Sequence, residues 1–323
     1  MENASVEIPD DGRYVRYHKY ESIRIEWCNH FKNKYAKQEH IVHAFFKNFH
    51  RNHRGFQFVV AELFDGTTHV LVESGKYLKI KEELEKITGR SLPDVSNVSD
   101  VKVKEKARSF HDSQSHRDFS LSLKRANDNI KARRKDDAKK SVGQLRRFLQ
   151  TKPNARMMAF DVETYENDHS VILEIGFVVC SLAKPEGNEK AFHFIITENS
   201  HFVNRDYVPD NREKFSFGTS ERMSLKEAAG RFMQHIRDVD FLVTHSGTND
   251  EAYLASSGIS LEGKPMFDTQ LLALALLTSG TAVFGLKRLL SDLAIPFDEN
   301  ILHNGGNDAV YTMKVFLALT KKI

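Results

Sequence analysis

The chain has 323 residues, 40% hydrophobic and 28% charged, which is a globular composition with length for about two domains. No apolar run reaches the roughly 18 residues that span a bilayer. Two cysteines, Cys28 and Cys180, are too few for a disulfide framework and point to a reducing compartment. The N-terminus, Met1-Glu2-Asn3-Ala4-Ser5, lacks the basic and apolar regions of a secretory signal and is too acidic for a transit peptide. The expectation is an intracellular protein of the cytoplasm or nucleus, with a mitochondrial place left open and no membrane partner. The formal net charge of +3 conceals an asymmetry. Residues 1–150 hold 30 Lys+Arg against 21 Asp+Glu, a difference of +9, and the remainder 17 against 23, a difference of −6. A basic half beside an acidic half fits a nucleic-acid-binding arm joined to a metal-binding site; the competing reading is ordinary solvated helix faces.

In chain order, residues 1–12 are polar and read as a disordered tail. Residues 13–93 read as a small α+β domain. Ile23, Trp27, Phe31 and Tyr35, then Ile41, Phe45 and Phe49, keep helical spacing from Glu21 to about Asn52. Phe56 to Phe64 reads as a strand, Asp65-Gly66 as a turn, His69 to Val72 as the return strand, and Lys76 to Thr88 as a helix stopped by Gly89. His40, His43, His50 and His53 invite a metal reading, but H-x2-H-x6-H-x2-H is not a zinc spacing and paired cysteines are absent. They are read instead as part of a basic, aromatic-interleaved surface. Residues 94–150 read as a linker ending in a basic helix, Lys124 to Phe148, with Arg133, Arg134, Lys139 and Lys140 placed either to grip phosphates or simply to be solvated.

From residue 151 onwards the pattern is α/β. Met157 to Asp161, Val171 to Cys180 and Ala191 to Ile196 read as three successive strands. A helix opens at the capping box Ser224-Leu225-Lys226-Glu227, followed by the strand Phe241 to Thr244. Asn249 to Ser257 reads as a short helix, Met266-Phe267-Asp268 as the start of a buried segment, Gly285 to Leu293 as a helix, and the last helix starts near Asn307. This order fits a ribonuclease-H-like mixed sheet with helices on both faces.

Three segments of this half carry the chemistry. The D-x-E match at Asp161 and Glu163 is expected by chance about once in such a chain, but it ends an apolar strand, where residues i and i+2 share a face. Two carboxylates there need a partner, and a divalent cation is the natural one. Asp250 opens the helix after the fourth strand. Asp308 opens the last helix, with His303 before it and Gly305 and Gly306 between, read as a loop given conformational freedom by its glycines. An N-terminal Asp could equally serve as a helix cap. Four carboxylates suit Mg²⁺ or Mn²⁺, two such ions can stabilise the attacking and leaving oxygens of a phosphodiester displacement, and a histidine can deprotonate the water.

Phe160-Asp161-Val162-Glu163-Thr164, Asp250, and His303 through Asp308 resemble the three motifs of the DEDD exonuclease superfamily in its histidine form, the DEDDh subgroup. Phe267-Asp268-Thr269 and Gly285-Leu286-Lys287-Arg288-Leu289 are similar to the fungal branch related to the "good for full DEAD-box activity" family. The resemblance covers about residues 155–320. It implies a 3′→5′ exonuclease releasing nucleoside 5′-monophosphates, with Asp161 bridging two metal ions, Glu163 and Asp308 holding one, Asp250 the other, and His303 as general base. Val162, Thr164, His245, Ser246 and Asn249 would touch the terminal nucleotide; Asp268 would not be a ligand. The second motif departs from H-N-x-x-F-D, with Ser246 for Asn and Asn249 for the aromatic residue. Single-stranded RNA is the expected substrate; an inactive nucleic-acid-binding adaptor and a DNA-directed exonuclease are the alternatives.

Overall fold

The computed structural model describes residues 16–63, 65–98, 101–166, 168–184, 189–205, 208–261, 263–277 and 283–323; the expected tail, 1–12, lies outside them. The chain divides into two compact units, Met1–Lys131 and Ala132–Ile323.

The first unit holds β1 (Tyr17–Lys19), α1 (Tyr20–Lys34), α2 (Glu39–Asn52), β2 (Phe58–Glu62), β3 (Thr68–Glu73), α3 (Ser74–Thr88), β4 (Asn97–Val98), β5 (Lys102–Arg108) and the beginning of α4 (Ser113–Thr151). Among the described residues its strands form an antiparallel sheet in the order β4-β1-β3-β2-β5. Its main core packs Trp27, Phe31, Phe45, Phe49, Phe58 and Tyr77. The helix expected over residues 21–52 is two helices, because Tyr35 leaves helical geometry at φ −137°, ψ 49°. The Asp65-Gly66 turn is present: Gly66 takes φ 73° and the Asp65 carboxylate accepts the Thr67 N–H at 2.9 Å.

The first boundary differs from the sequence reading, which closed the small domain at 93 and ran a linker from 94 to 150. The unit continues to Lys131 and includes β4, β5 and the start of α4. Strand β5, Lys-Val-Lys-Glu-Lys-Ala-Arg, is an edge strand whose charges hide its alternation and block further pairing. The histidine reading is also corrected. Phe45, Phe46, Phe49 and His50 are core residues rather than surface. His43 bonds Glu39 and His53 bonds Glu83, so these two histidines are engaged with separate carboxylates.

The second unit takes in the end of α4, then β6 (Arg156–Tyr165), β7 (Asp168–Ser181), β8 (Lys190–Ile196), β9 (Glu221–Met223), α5 (Leu225–Arg237), β10 (Phe241–Thr244), α6 (Thr248–Ser256), β11 (Met266–Asp268), α7 (Thr269–Leu276), α8 (Leu286–Asp292) and α9 (Gly305–Thr320). Among the described residues the sheet order is β11-β10-β6-β7-β8-β9. Strands β6, β7 and β8 are antiparallel; β10 joins β6 in parallel, β11 joins β10 and β9 joins β8. This is the ribonuclease-H-like mixed sheet. The alternation of β6 sends Met157 and Ala159 into the core under α7, α8 and α9, and Met158, Phe160 and Val162 into the opposite core with α5. The Ser224–Glu227 capping box opens α5 as read from the sequence. Strand β9 and helix α7 were not foreseen, and α9 starts at Gly305, two residues earlier than expected. Among the described residues no helix is long and apolar enough to cross a membrane.

Gly176 of β7 sits opposite Asp161, and a β-carbon there would lie 2.0 Å from the Gly305 carbonyl carbon. Backbone cannot swing aside as a side chain can, so Gly176→Ala should destabilise the protein by about 3 kcal/mol, read as a lowered melting temperature. An unchanged melting temperature would show that α9 can move away from β7 without cost.

Candidate active site

Strand alternation places Asp161 and Glu163 on the face of β6 that α9 covers, while the Val162 and Thr164 side chains turn to the other face. Asp308 lies in the first turn of α9 and Asp250 in the first turn of α6, where helix N-termini favour negative charge. One ligand atom each of Glu163, His303 and Asp308 falls within 4.8 Å of the other two. Asp161 stands outside that trio but interacts electrostatically with Asp250, Glu163 and Asp308. The five motif residues thus gather at one place from β6, α6 and the start of α9.

The electrostatics are unbalanced. Burial, followed by repulsion from Asp250, Glu163, Asp308 and Glu174, holds the Asp161 carboxyl well above the usual carboxylate range. Burial and repulsion from Glu174, Asp308, Asp250 and Asp210 do the same for Glu163. Both residues are largely, though not fully, buried. Burial raises Asp250 to about 8 and Asp308 to about 7. No basic side chain contributes to any of these four shifts. His303 is lowered by desolvation alone, so its imidazole is neutral at physiological pH.

A divalent cation fits this donor set. The donors are carboxylate oxygens with one imidazole beside them, and the buried Asp308 Oδ1 has no hydrogen-bond partner. Its other oxygen, Oδ2, accepts the His303 backbone N–H at 3.0 Å. The capping role weighed for Asp308 belongs instead to Asn304, which accepts the Asn307 N–H at 3.0 Å.

The rest of the third motif is scaffold. Asn304 and Asn307 are fully buried. Asn304 donates to the carbonyl of Asn211 at 3.0 Å; Asn307 donates to Lys214 and Ile301 and accepts from the Ser216 N–H, each at 2.9 Å. The positive φ in this loop, 61°, falls on His303 and not on the glycines. Gly305 and Gly306 serve close approach: a β-carbon on Gly306 would lie 2.6 Å from the Phe215 ring. Behind them, Glu174 accepts the Gly305 N–H at 3.1 Å and bonds His193 Nε2 at 2.7 Å, and His193 Nδ1 meets Ser220 at 2.9 Å. The sequence reading missed Glu174 and His193. Their signal was a charged and a polar residue inside apolar strand runs.

The second motif is built around its own constraints. Ser246 takes φ 62°, and its N–H donates to Asp268 Oδ1 at 3.1 Å. Asp268 also accepts from the Gln270 N–H at 2.7 Å as the cap of α7. His245 Nδ1 meets Thr269 Oγ1 at 2.9 Å. Thr164 Oγ1 bonds His169 Nδ1 at 2.9 Å, and the His169 ring stacks on Tyr253 with centroids 5.5 Å apart. Asn249 lies in α6, but its side chain is outside the described residues. In the basic segment, Arg134 is occupied, donating to Gln270 Oε1 at 2.9 Å.

A family model described as DNA polymerase III subunit epsilon-like, C-terminal domain, of the DEDDh type, matches residues 156–319. An uncharacterized nucleolar protein of Schizosaccharomyces pombe is 26% identical over 179 residues, covering 53% of this chain and 71% of its own length. The "Good for full DBP5 activity protein 2" of Saccharomyces cerevisiae is 27% identical over 209 residues, covering 52% of this chain and 36% of its own. The chain therefore spans about a third of that second relative. Among solved structures, the zinc-bound E. coli ExoI–ssDNA complex aligns at 11% identity and TM-score 0.36 over 52% of this chain and 41% of its own. The RNase domain of yeast Pop2 aligns at 13% and 0.35 over 58% and 84%.

Asp250 and Asp308 bind protons when folded at pH values where the unfolded chain has released them. Without metal, stability should therefore fall as pH rises from the ordinary carboxylate range towards about 8. Melting temperatures in EDTA between pH 6 and 8.5 would show this. Saturating Mn²⁺ should abolish the slope, and a flat profile in EDTA would contradict the placement of the cluster.

Proposed function

The chain belongs to the DEDDh family of DNA polymerase III epsilon-like C-terminal domains, and on that premise we propose that it is a metal-dependent 3′→5′ exonuclease releasing nucleoside 5′-monophosphates from single-stranded RNA. The observation that carries this reading is the set of four carboxylates, Asp161, Glu163, Asp250 and Asp308, uncompensated by any cation among the described residues, with His303 beside two of them. The family generally uses divalent ions. Here Asp161, Glu163, Asp250 and Asp308 would hold two, Mg²⁺ or Mn²⁺, which when bound supply charge neutralisation at the scissile phosphate.

His303, neutral and at the mouth of the cluster, takes a proton from the water that attacks the terminal phosphorus. The bond from phosphorus to the 3′ oxygen of the preceding nucleotide breaks, and that oxygen takes a proton from solvent water, while His303 returns its own to solvent. Asp308 orients the base by holding the His303 backbone N–H. The terminal nucleotide is assigned to the backbone at Val162, the strip from Thr164 to the His169–Tyr253 stack, and the corner at His245, Ser246 and Asn249. Tyr253 lies one turn beyond Asn249 and supplies the aromatic surface that position lacks. The preference for RNA rests on the basic excess of residues 1–150 and on the nucleolar description of one relative.

His303→Gln should lower turnover by about 10²–10⁴-fold, and Asp161→Asn or Asp308→Asn at least as much, with the melting temperature kept. The assay follows 5′-labelled single-stranded RNA with Mn²⁺ for stepwise shortening and 3′-labelled RNA for released monophosphate. Full activity in Asp161→Asn would overturn the site, internal cuts would overturn the exonuclease reading, and faster hydrolysis of DNA in competition would overturn the substrate.

A further inference from the structure

The first unit contains a cavity of about 880 Å³ that the catalytic reading does not use. This is within the size range of small-molecule and cofactor sites, about 300–1,000 Å³. Its walls come from the β1–α1 junction, α2, β3 and one face of α4. On α4 the lining residues Arg117, Lys124 and Lys131 recur every seventh position, with Ser113, Ser120 and Asn127 in the same register. Further along the helix the apolar Ala138, Val142 and Leu145 are buried in the second unit. In this seven-residue register the cations end at Lys131, and the buried apolar Ala138 and Leu145 take the positions that follow.

The charge there is one-sided. Lys19 and Lys47 join the three α4 cations in the lining, and none of the five enters an ion pair among the described residues. Arg24 is bonded to Glu21, which leaves Asp128 as the single lining carboxylate without that engagement. Asp65 is the one acid that acts on Lys19, and its Oδ1 is taken by Thr67. Lys131 repels Lys19. Against this cationic side stands an aromatic one. Phe46, Tyr20, His50 and His116 line the cavity, with the His50 and His116 rings 4.9 Å apart. Burial lowers both imidazoles, His116 to about 4, so they present neutral rings.

We infer that this cavity is a second nucleotide site, taking a phosphate-bearing nucleoside unit, free or within a single strand, with its phosphate among Lys19, Lys124 and Lys131 and its base towards Phe46 and His116. A phosphate relieves the mutual repulsion of cations that have no ion pair among the described residues, and planar rings accept a base face without demanding its identity. The inference is independent of the exonuclease reading, because no residue of the cavity belongs to the carboxylate cluster.

The test uses the full chain in EDTA and the variant Arg117→Glu/Lys124→Glu/Lys131→Glu, whose helix positions face the cavity rather than the core. Fluorescein-labelled U12 should bind the variant at least tenfold more weakly, with the salt slope reduced by about 2 for three lost phosphate contacts. Hydrolysis of thymidine 5′-p-nitrophenyl phosphate with Mn²⁺ should be unchanged, which separates this site from the catalytic one. Titration of AMP by calorimetry distinguishes the sources. A parallel loss for AMP identifies a free-nucleotide site, whereas loss for U12 alone identifies a strand-binding site. Ultraviolet crosslinking of a 4-thiouridine oligomer should label peptides containing Phe46 or His116. Unchanged U12 and AMP affinity, or crosslinks confined to residues 156–323, would overturn the inference. Should the triple variant lose its circular dichroism spectrum, Lys131→Ala carries the same comparison.

Discussion

Carboxylates that repel one another have to be held within reach of one another, and the second unit is organised around that constraint. Asp161 and Glu163 alternate along one strand, Asp250 and Asp308 come from two helix N-termini, and Glu174 lies directly across from Glu163. Among the described residues nothing basic offsets the repulsion among the four. The opposing force is apolar. Met157, Met158, Ala159 and Phe160 are fully buried, and packing on both faces of β6 fixes the strand that carries the first pair. Burial stabilises the fold and, by the same act, makes the acids reluctant to ionise without a cation.

Bringing Asp308 to that strand is a problem of distance. Helix α9 has to begin almost in contact with β7, which requires glycine at 176; at Gly305 a β-carbon would lie 3.3 Å from the Gly176 nitrogen, a tight fit. Glu174 then holds the Gly305 N–H, and His193 and Ser220 hold Glu174 in turn. Asn304 and Asn307 anchor the same turn to residues 211–216. A six-residue motif that contains two of the candidate site residues therefore spends its other four positions on placing them.

The chemistry of the site was legible in the sequence because it follows local rules. An acid pair at i, i+2 in an apolar strand and acids at helix starts can be seen without knowing the tertiary structure. The capping box at Ser224 was legible for the same reason. What stayed hidden depends on partners distant in sequence. Glu174 is 131 residues from Gly305, and its acceptor role exists only once β7 and α9 meet. Strand β5 was hidden differently. Its lysines are what an edge strand needs, yet they erase the apolar alternation by which strands are recognised. The Gly305-Gly306 pair was noticed for the wrong reason, as a source of backbone freedom, whereas its function is to leave room.

The backbone strain sits on residues that glycine could replace only by losing a side chain. Apart from Ala294, the non-glycine residues with positive φ among those described are Ser246 and His303, at 62° and 61°. One precedes Asp250 by four residues and the other precedes Asp308 by five. A left-handed backbone at such residues costs on the order of 1 kcal/mol or more and persists only where the surroundings over-determine it. At Ser246 the surroundings are the Asp268 carboxylate on its N–H; at His303 they are the Asp308 carboxylate on its N–H. In both loops an acid clamps the strained backbone just ahead of a helix. At His303 the clamping acid belongs to the cluster itself, so the bond that sets the imidazole's position also fixes one oxygen of Asp308 and leaves the other free for a cation. The proposed base and the proposed metal site are thereby held in one geometry by a single hydrogen bond.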